Sequence, residues 1–187
     1  MQTREEGMLF LREHNKEEGH IRHALAVEAV MRYFAKHYGQ DVELWGLTGL
    51  MHDIDWEKTQ TAELHPMVGA KWLEEKAYPA ELIRAVLAHG WDWSGVEPLT
   101  EMEKTLYTVD ELSGFVTAVA LVRPSKSLMD LEVKSVKKKW KDKAFAKGVD
   151  RGIIEKGCVL MDKSLDQLIE MTIEAMRPCE KEIGLGV

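Results

Sequence analysis

The segment LWGLTGLMHDIDWE, residues 44–57, is apolar on nearly every side of a helix until it ends in a histidine beside an aspartate, with a second aspartate two residues on. A helix that is hydrophobic all round belongs at the centre of a fold. Taking an unpaired charge or imidazole into that interior is costly. His52 and Asp53 therefore either emerge at a surface or meet something that compensates their burial. A divalent cation does so, provided other helices deliver the rest of a coordination shell.

The neighbouring sequence is helical by the same criteria. Thr3 to Glu13 is expected to form a short helix ending near Asn15. A second runs from about Glu17 to Tyr38 and stops at Gly39, and Asp41 caps the third, which carries the segment above. Thr61 to Lys76 reads as a fourth. Pro79 opens a fifth, AELIRAVLAHG, in the early position that suits proline, and a WDWSGVEP loop follows. Thr100, with Glu103 three residues later, is a capping-box signature for a sixth helix that runs to Pro124. A short helix near Asp150 to Lys156 and an amphipathic one from about Ser164 to Met176 complete the pattern. Strand-like alternation is nearly absent. The expectation is all-α: one compact unit with a helical core over residues 1–123 and a helical extension over 124–187 packed on it.

With 187 residues, 45% hydrophobic and 30% charged, the chain can bury one core and lacks the composition of a disordered protein. No apolar run approaches the ~18 residues of a membrane helix. The charged start, MQTREEGMLFLREHNKEE, does not read as a secretory signal, so a cytoplasmic protein is expected. Cys158 and Cys179 are far apart and read as reduced structural thiols. The formal net charge of −7 disfavours nucleic-acid polymers and acidic membranes as partners. Residues 123–151 differ: ten Lys/Arg against four Asp/Glu give +6 there and leave −13 for the rest.

At 100° per residue, Val27, Val30, Met31, Phe34 and Tyr38 share one side of the second helix. His23 projects into that side, with His20 one turn earlier. Asp110 shares a side of the sixth helix with Leu106, Gly114, Thr117 and Leu121. Singly, a histidine on an apolar face reads as a hydrogen-bonded core residue, and Asp110 as a cap or ion-pair partner. Jointly, three central helices deliver histidine or carboxylate to inward faces, and that donor set suits zinc, manganese and iron. His65, expected to open the fourth helix, and His89, ending the fifth, extend the set to His23, His52, Asp53, His65, His89 and Asp110.

This order resembles the HD superfamily of metal-dependent phosphohydrolases, all-helical proteins named for the doublet. HIRHALAVEAVMRYFA, LWGLTGLMHDID and LYTVDELSG carry the likeness, over about residues 17–123. The HP pair at 65–66, Gly69 and His89 resemble the six-ligand, two-metal branch. The resemblance implies a phosphomonoesterase or phosphodiesterase acting on a small phosphorylated metabolite, such as a nucleotide. It implies a primary metal site of His23, His52, Asp53 and Asp110. His65 and His89 would bind a second ion, with Asp53 bridging, or contact the phosphate; Asp53, His65 and His89 form the implied catalytic group. The implied cofactor is one or two divalent ions of Mn, Fe, Zn, Mg or Ni. The tail beyond Pro124 looks like the extension of a bacterial set of predicted HD hydrolases. Asp55-Trp56 stand where many members have glycine, and Gly90 where two-metal relatives often have a second histidine. The missing GYP signature disfavours cyclic dinucleotides. An HD-type di-iron oxygenase and a non-catalytic metal-stabilised binding module share the same donor set.

Around this set, Asp55, Glu57 and Glu63 read as exposed loop carboxylates, with orientation of a water as their functional alternative. Lys58 reads as solvated. The basic segment is either a solvated helix face or an electropositive wall for phosphate, with Arg123, Lys126 and Lys134 its first candidates for substrate contact. Trp91 and Trp93 read as packing the loop after His89 onto the core, or as stacking on a substrate ring.

Overall fold

Two helices, α2 (Glu18–Tyr38) and α8 (Glu101–Leu121), form the axis of the computed structural model, which describes residues 2–59 and 64–186. Among the described residues the chain is all-helical, with eleven α-helices, one closing 3-10 turn and no strand. The buried face of α2 presents Val27, Val30, Met31 and Phe34; α8 answers with Leu106, Leu112, Phe115 and Val116.

Packed along α2 lies α3 (Val42–Met51), with every residue from Leu44 to Met51 buried, as a helix apolar on all sides requires. Gly49 allows α3 to lie close against α2: a Cβ there would stand 2.9 Å from the Val27 carbonyl oxygen and 3.0 Å from Glu28 Cα. Backbone cannot yield as a side chain can, so the close approach needs glycine. An ion pair fastens the same corner. Buried Glu28 accepts from Arg4 Nε at 2.6 Å and Arg32 Nε at 2.9 Å, and Arg32 also forks onto Glu43. These contacts join α1 (Arg4–His14), α2 and α3.

The helix ends obey the capping rules. Thr3 with Glu6, Thr100 with Glu103 and Ser164 with Gln167 form reciprocal capping boxes. Asp41 accepts from the Glu43 and Leu44 amides, and Gly39 ends α2 in the left-handed region at φ 66. Asn15 caps the end of α1 and also donates to the Ile54 carbonyl at 2.8 Å, pinning the turn that follows His52-Asp53.

Past that turn come α4 (Trp56–Thr59), α5 (Met67–Glu75), α6 (Ala80–His89) and α7 (Trp91–Ser94). The fourth expected helix is shorter than its sequence pattern. Pro66 is the N-cap of α5, and a residue before proline is disfavoured in helical conformation, so His65 sits in the turn ahead of the helix rather than opening it. Thr61 and Glu63 lie outside the described residues. The WDWSG stretch winds into α7 instead of remaining a loop. Beyond α8, the basic segment forms α9 (Val133–Trp140), followed by α10 (Arg151–Leu160) and α11 (Leu165–Met176). Helix α10 packs on α8, and α11 on α2 and α8. No helix of the described residues is long and apolar enough to cross a membrane.

Candidate metal centre

Five elements converge at one end of the α2–α8 axis. Helix α2 supplies His23, the end of α3 supplies His52 and Asp53, α8 supplies Asp110, and the turn before α5 and the end of α6 supply His65 and His89. The potential ligand atoms fall into two groups, His23, His52, Asp53, Asp110 and Asp53, His65, His89, each with all its atoms within 4.8 Å of one another.

Asp53 belongs to both groups, and its two oxygens face opposite ways. Oδ2 lies 3.4 Å from His52 Nε2 and 3.9 Å from His23 Nε2. Oδ1 lies 3.4 Å from both His65 Nε2 and His89 Nε2. Asp110 Oδ1 completes the first group, 2.8 Å from His23 Nε2 and 3.3 Å from His52 Nε2.

The outer nitrogens of three imidazoles are already committed. His52 Nδ1–H donates to the Gly49 carbonyl at 2.8 Å, and His89 Nδ1–H donates to the Val86 carbonyl. His65 Nδ1–H donates to Asp55 Oδ1 at 2.8 Å. Carbonyl and carboxylate oxygens only accept, so each of these rings, when neutral, turns an Nε2 lone pair inward. His65 Nε2 and His89 Nε2 then face each other at 3.1 Å, with Asp53 Oδ1 opposite. His52 Nε2 is fully buried and has no hydrogen-bond partner. Lone pairs crowded without a donor are repulsive; a divalent cation among them turns the same arrangement attractive. The donor set, all imidazole and carboxylate, fits such an ion.

Charge follows the same geometry. Burial alone would lower the His52 pKa, but the neighbouring Asp53 and Asp110 carboxylates outweigh it and hold the imidazole well above the ordinary range. Against their own burial, Asp53 and Asp110 are pulled well below the usual carboxylate range, chiefly by His52. Glu111, next to Asp110, moves the other way. Burial first and the Asp110 charge second push it up to about 8.

Asp55 is a correction to the sequence reading. It is 0% exposed rather than a surface carboxylate, and its second oxygen accepts the Gly69 amide at 2.8 Å. The lack of a Cβ at Gly69 permits that approach, since one would lie 3.0 Å from Asp55 Cγ. Glu57 is likewise engaged: it accepts the amides of Lys16 and Glu17 and stands 3.1 Å from His20 Nδ1.

The three basic candidates lie elsewhere. Arg123 donates to Asp130 and Ser135, Lys134 is 82% exposed and pairs with Glu132, and the Lys126 carbonyl accepts the Gly186 amide. None of them lines the cavity over the His/Asp cluster. Lysines on an amphipathic helix with Val136 buried turn their charges to water, and α9 does not wall this cavity. Lys58 bonds His14 and sits over Trp72, also away from the cavity.

That cavity, of about 510 Å³, is walled by Trp56, Trp91, Trp93 and Tyr107 and by the extension residues Val149 and Ile153. Sequence reasoning had singled out the tryptophans but not Tyr107, Glu111 or Asp150, which also line it. The signal was present for two of these on α8: Tyr107 stands one turn before Asp110, and Glu111 one turn after Tyr107. Nothing local announces that residues 148–153 would fold back over the site.

A family model described as HD domain matches residues 21–114, about half of the chain. It spans His23 through Asp110, and so all six residues of the cluster. Comparison with curated proteins finds no match, and comparison with solved structures finds none.

Proposed function

Because the chain belongs to the HD domain family, whose members are in general metal-dependent hydrolases, we propose that it is a metal-dependent phosphohydrolase acting on a small phosphorylated metabolite. The observation that carries this reading is the division of Asp53, one oxygen toward His23 and His52, the other toward His65 and His89. In it, His23, His52, Asp53 and Asp110 would hold one divalent ion, and Asp53, His65 and His89 would hold a second. Ions so held would supply Lewis acidity toward a phosphoryl oxygen and lower the pKa of water toward neutrality.

The reaction adds the oxygen of water to phosphorus and breaks the ester P–O bond. The alcohol oxygen leaves with a proton, and inorganic phosphate is the second product. The chain's contributions are fixed orientation and proton placement. Gly49, Val86 and Asp55 lock the imidazoles through Nδ1, so no reorganisation is needed when substrate arrives. The commitment of His65 and His89 on both nitrogens favours ligation over proton donation for these two. His20 is better placed for the proton: it lines the cavity with Nδ1–H held by Glu57, so that in the imidazolium form its Nε2–H can donate to the departing oxygen. Trp56 and Trp93, each packed edge-on against His65, restrict water around the reacting centre.

The test is a panel of phosphate mono- and diesters assayed with protein reconstituted in Mn²⁺, Mg²⁺, Fe²⁺, Zn²⁺ or Ni²⁺, beside Asp53→Ala. Turnover of at least one ester that the variant loses is expected. Turnover that persists in Asp53→Ala, or no turnover with any ion, overturns the proposal.

A further inference from the structure

Once a phosphoryl group is assigned to the ion centre, the remainder of the cavity faces the rest of the substrate, and its chemistry is unusual for a phosphate-binding site. Among the described residues no lysine or arginine lines it. Beyond Asp53 and Asp110, the lining carboxylates are Asp92, Glu111 and Asp150. The walls between them are aromatic, Trp91, Trp93 and Tyr107.

One polar group here lacks a partner. Tyr107 is 1% exposed, and its hydroxyl, buried in the cavity wall, makes no hydrogen bond. An unmet buried hydroxyl is destabilising unless a ligand satisfies it. Tyr107 and Glu111 are one helical turn apart on the same side of α8, so both can address one group. Glu111 spends one oxygen on the Asp150 amide at 3.0 Å. At the rim, the chain already places a cation of its own. The Lys156 ammonium lies 5.9 Å from the centre of the Trp91 ring and 3.4 Å from Asp92 Oδ1.

We propose, resting on the hydrolytic reading above, that Tyr107, Glu111 and Trp91 form a subsite for a positively charged amino group, and that the substrate is the phosphate monoester of a small amine. The ion centre takes the dianionic phosphate, and the ammonium enters the acidic, aromatic half. There its N–H groups donate to Glu111, whose carboxylate form the ammonium itself favours, and to the Tyr107 oxygen, which the wall shifts slightly to expose, and its charge is favoured by the Trp91 face. The same wall repels a polyphosphate chain, whose added negative charges would meet Asp92 and Asp150 instead of basic side chains.

The experiment compares O-phosphoethanolamine with propyl phosphate, which has the same length and no cation, on the metal-reconstituted full chain. Two quantities are measured, kcat/KM and calorimetric affinity. Wild type is expected to favour O-phosphoethanolamine by about tenfold or more in both, the worth of a hydrogen-bonded charge. Glu111→Gln is expected to bring the ratio toward one, and Tyr107→Phe to lower it. The thermal midpoint of Tyr107→Phe should not fall, since that hydroxyl has no hydrogen bond to lose. A wild-type affinity ratio of one overturns the subsite, as does a ratio that both variants leave intact. If no ester of the panel above turns over but O-phosphoethanolamine still binds more tightly through Glu111, the subsite stands and the hydrolytic reading fails.

Discussion

Asp55, fully buried two residues after Asp53, accepts the Nδ1–H of His65 at 2.8 Å. It thereby fixes the ring whose other nitrogen faces Asp53 at 3.4 Å. Its remaining oxygen binds the Gly69 amide, so one carboxylate ties the turn before α5 to the end of α3. Asp55→Asn keeps the shape, but it cannot accept from His65 and from Gly69 through both of its terminal atoms. Its affinity for the ion of the His65–His89 group is expected to drop by roughly 10–100-fold, with helicity by circular dichroism unchanged. Metal titration reads the loss; wild-type affinity would show that the contact is dispensable.

Asp53 and His89 are expected to differ in stoichiometry. Asp53→Ala removes an oxygen from both groups, whereas His89→Ala touches only one. Elemental analysis after reconstitution should show both ions lost in the first variant and one retained in the second. Equal occupancy in the two variants would contradict a shared carboxylate.

Metal-free protein should lose stability as pH rises. Glu111 titrates near 8 when folded against ~4.3 when unfolded. His52 is held well above its ordinary range. Both groups bind more protons folded than unfolded, so unfolding free energy falls with rising pH through that interval. Asp53 and Asp110 are depressed when folded, and their contribution disappears only on acidification below ~3.8. Thermal melts of chelated protein from about pH 5 to about pH 8 should therefore show a declining midpoint. Added divalent cation should reverse the decline, because it replaces the proton on His52. A midpoint rising with pH in chelated protein would refute the assignment.

Gly49→Ala is expected to weaken fold and site together. The added Cβ meets the α2 backbone at 2.9 Å, and the helix carrying His52 must shift. A loss of about 1–3 kcal/mol is the usual cost of such overpacking. Chemical denaturation measures it, and metal titration of the same variant should show weaker binding. A variant as stable as wild type would mean that α3 has room to move.

The all-helical fold was legible because its signals are local: caps at Thr3, Asp41, Thr100 and Ser164, a stop at Gly39, and an α3 apolar on every side. His23, His52, Asp53 and Asp110 stood out for the same reason, as polar side chains on helix faces otherwise apolar. Asp55 did not, because its burial depends on Gly69, fourteen residues away, approaching across a turn. Nor did the cavity's outer wall. Arg123, Lys126 and Lys134 were attractive by charge alone, but charge in sequence carries no direction, and the extension instead lays Gly148, Val149 and Asp150 over the site. Long-range placement of this kind leaves no periodic trace.

Two indole rings flank the same imidazole, Trp56 at 5.0 Å and Trp93 at 5.4 Å from His65 between ring centres. The share of intrinsic emission that this pair contributes, among six tryptophans, is therefore an unlabelled optical readout of events at the cluster. Loading a paramagnetic ion there would quench it, whereas a diamagnetic one would mainly shift its wavelength. The molecule carries its own spectroscopic probe beside one of the rings that face Asp53.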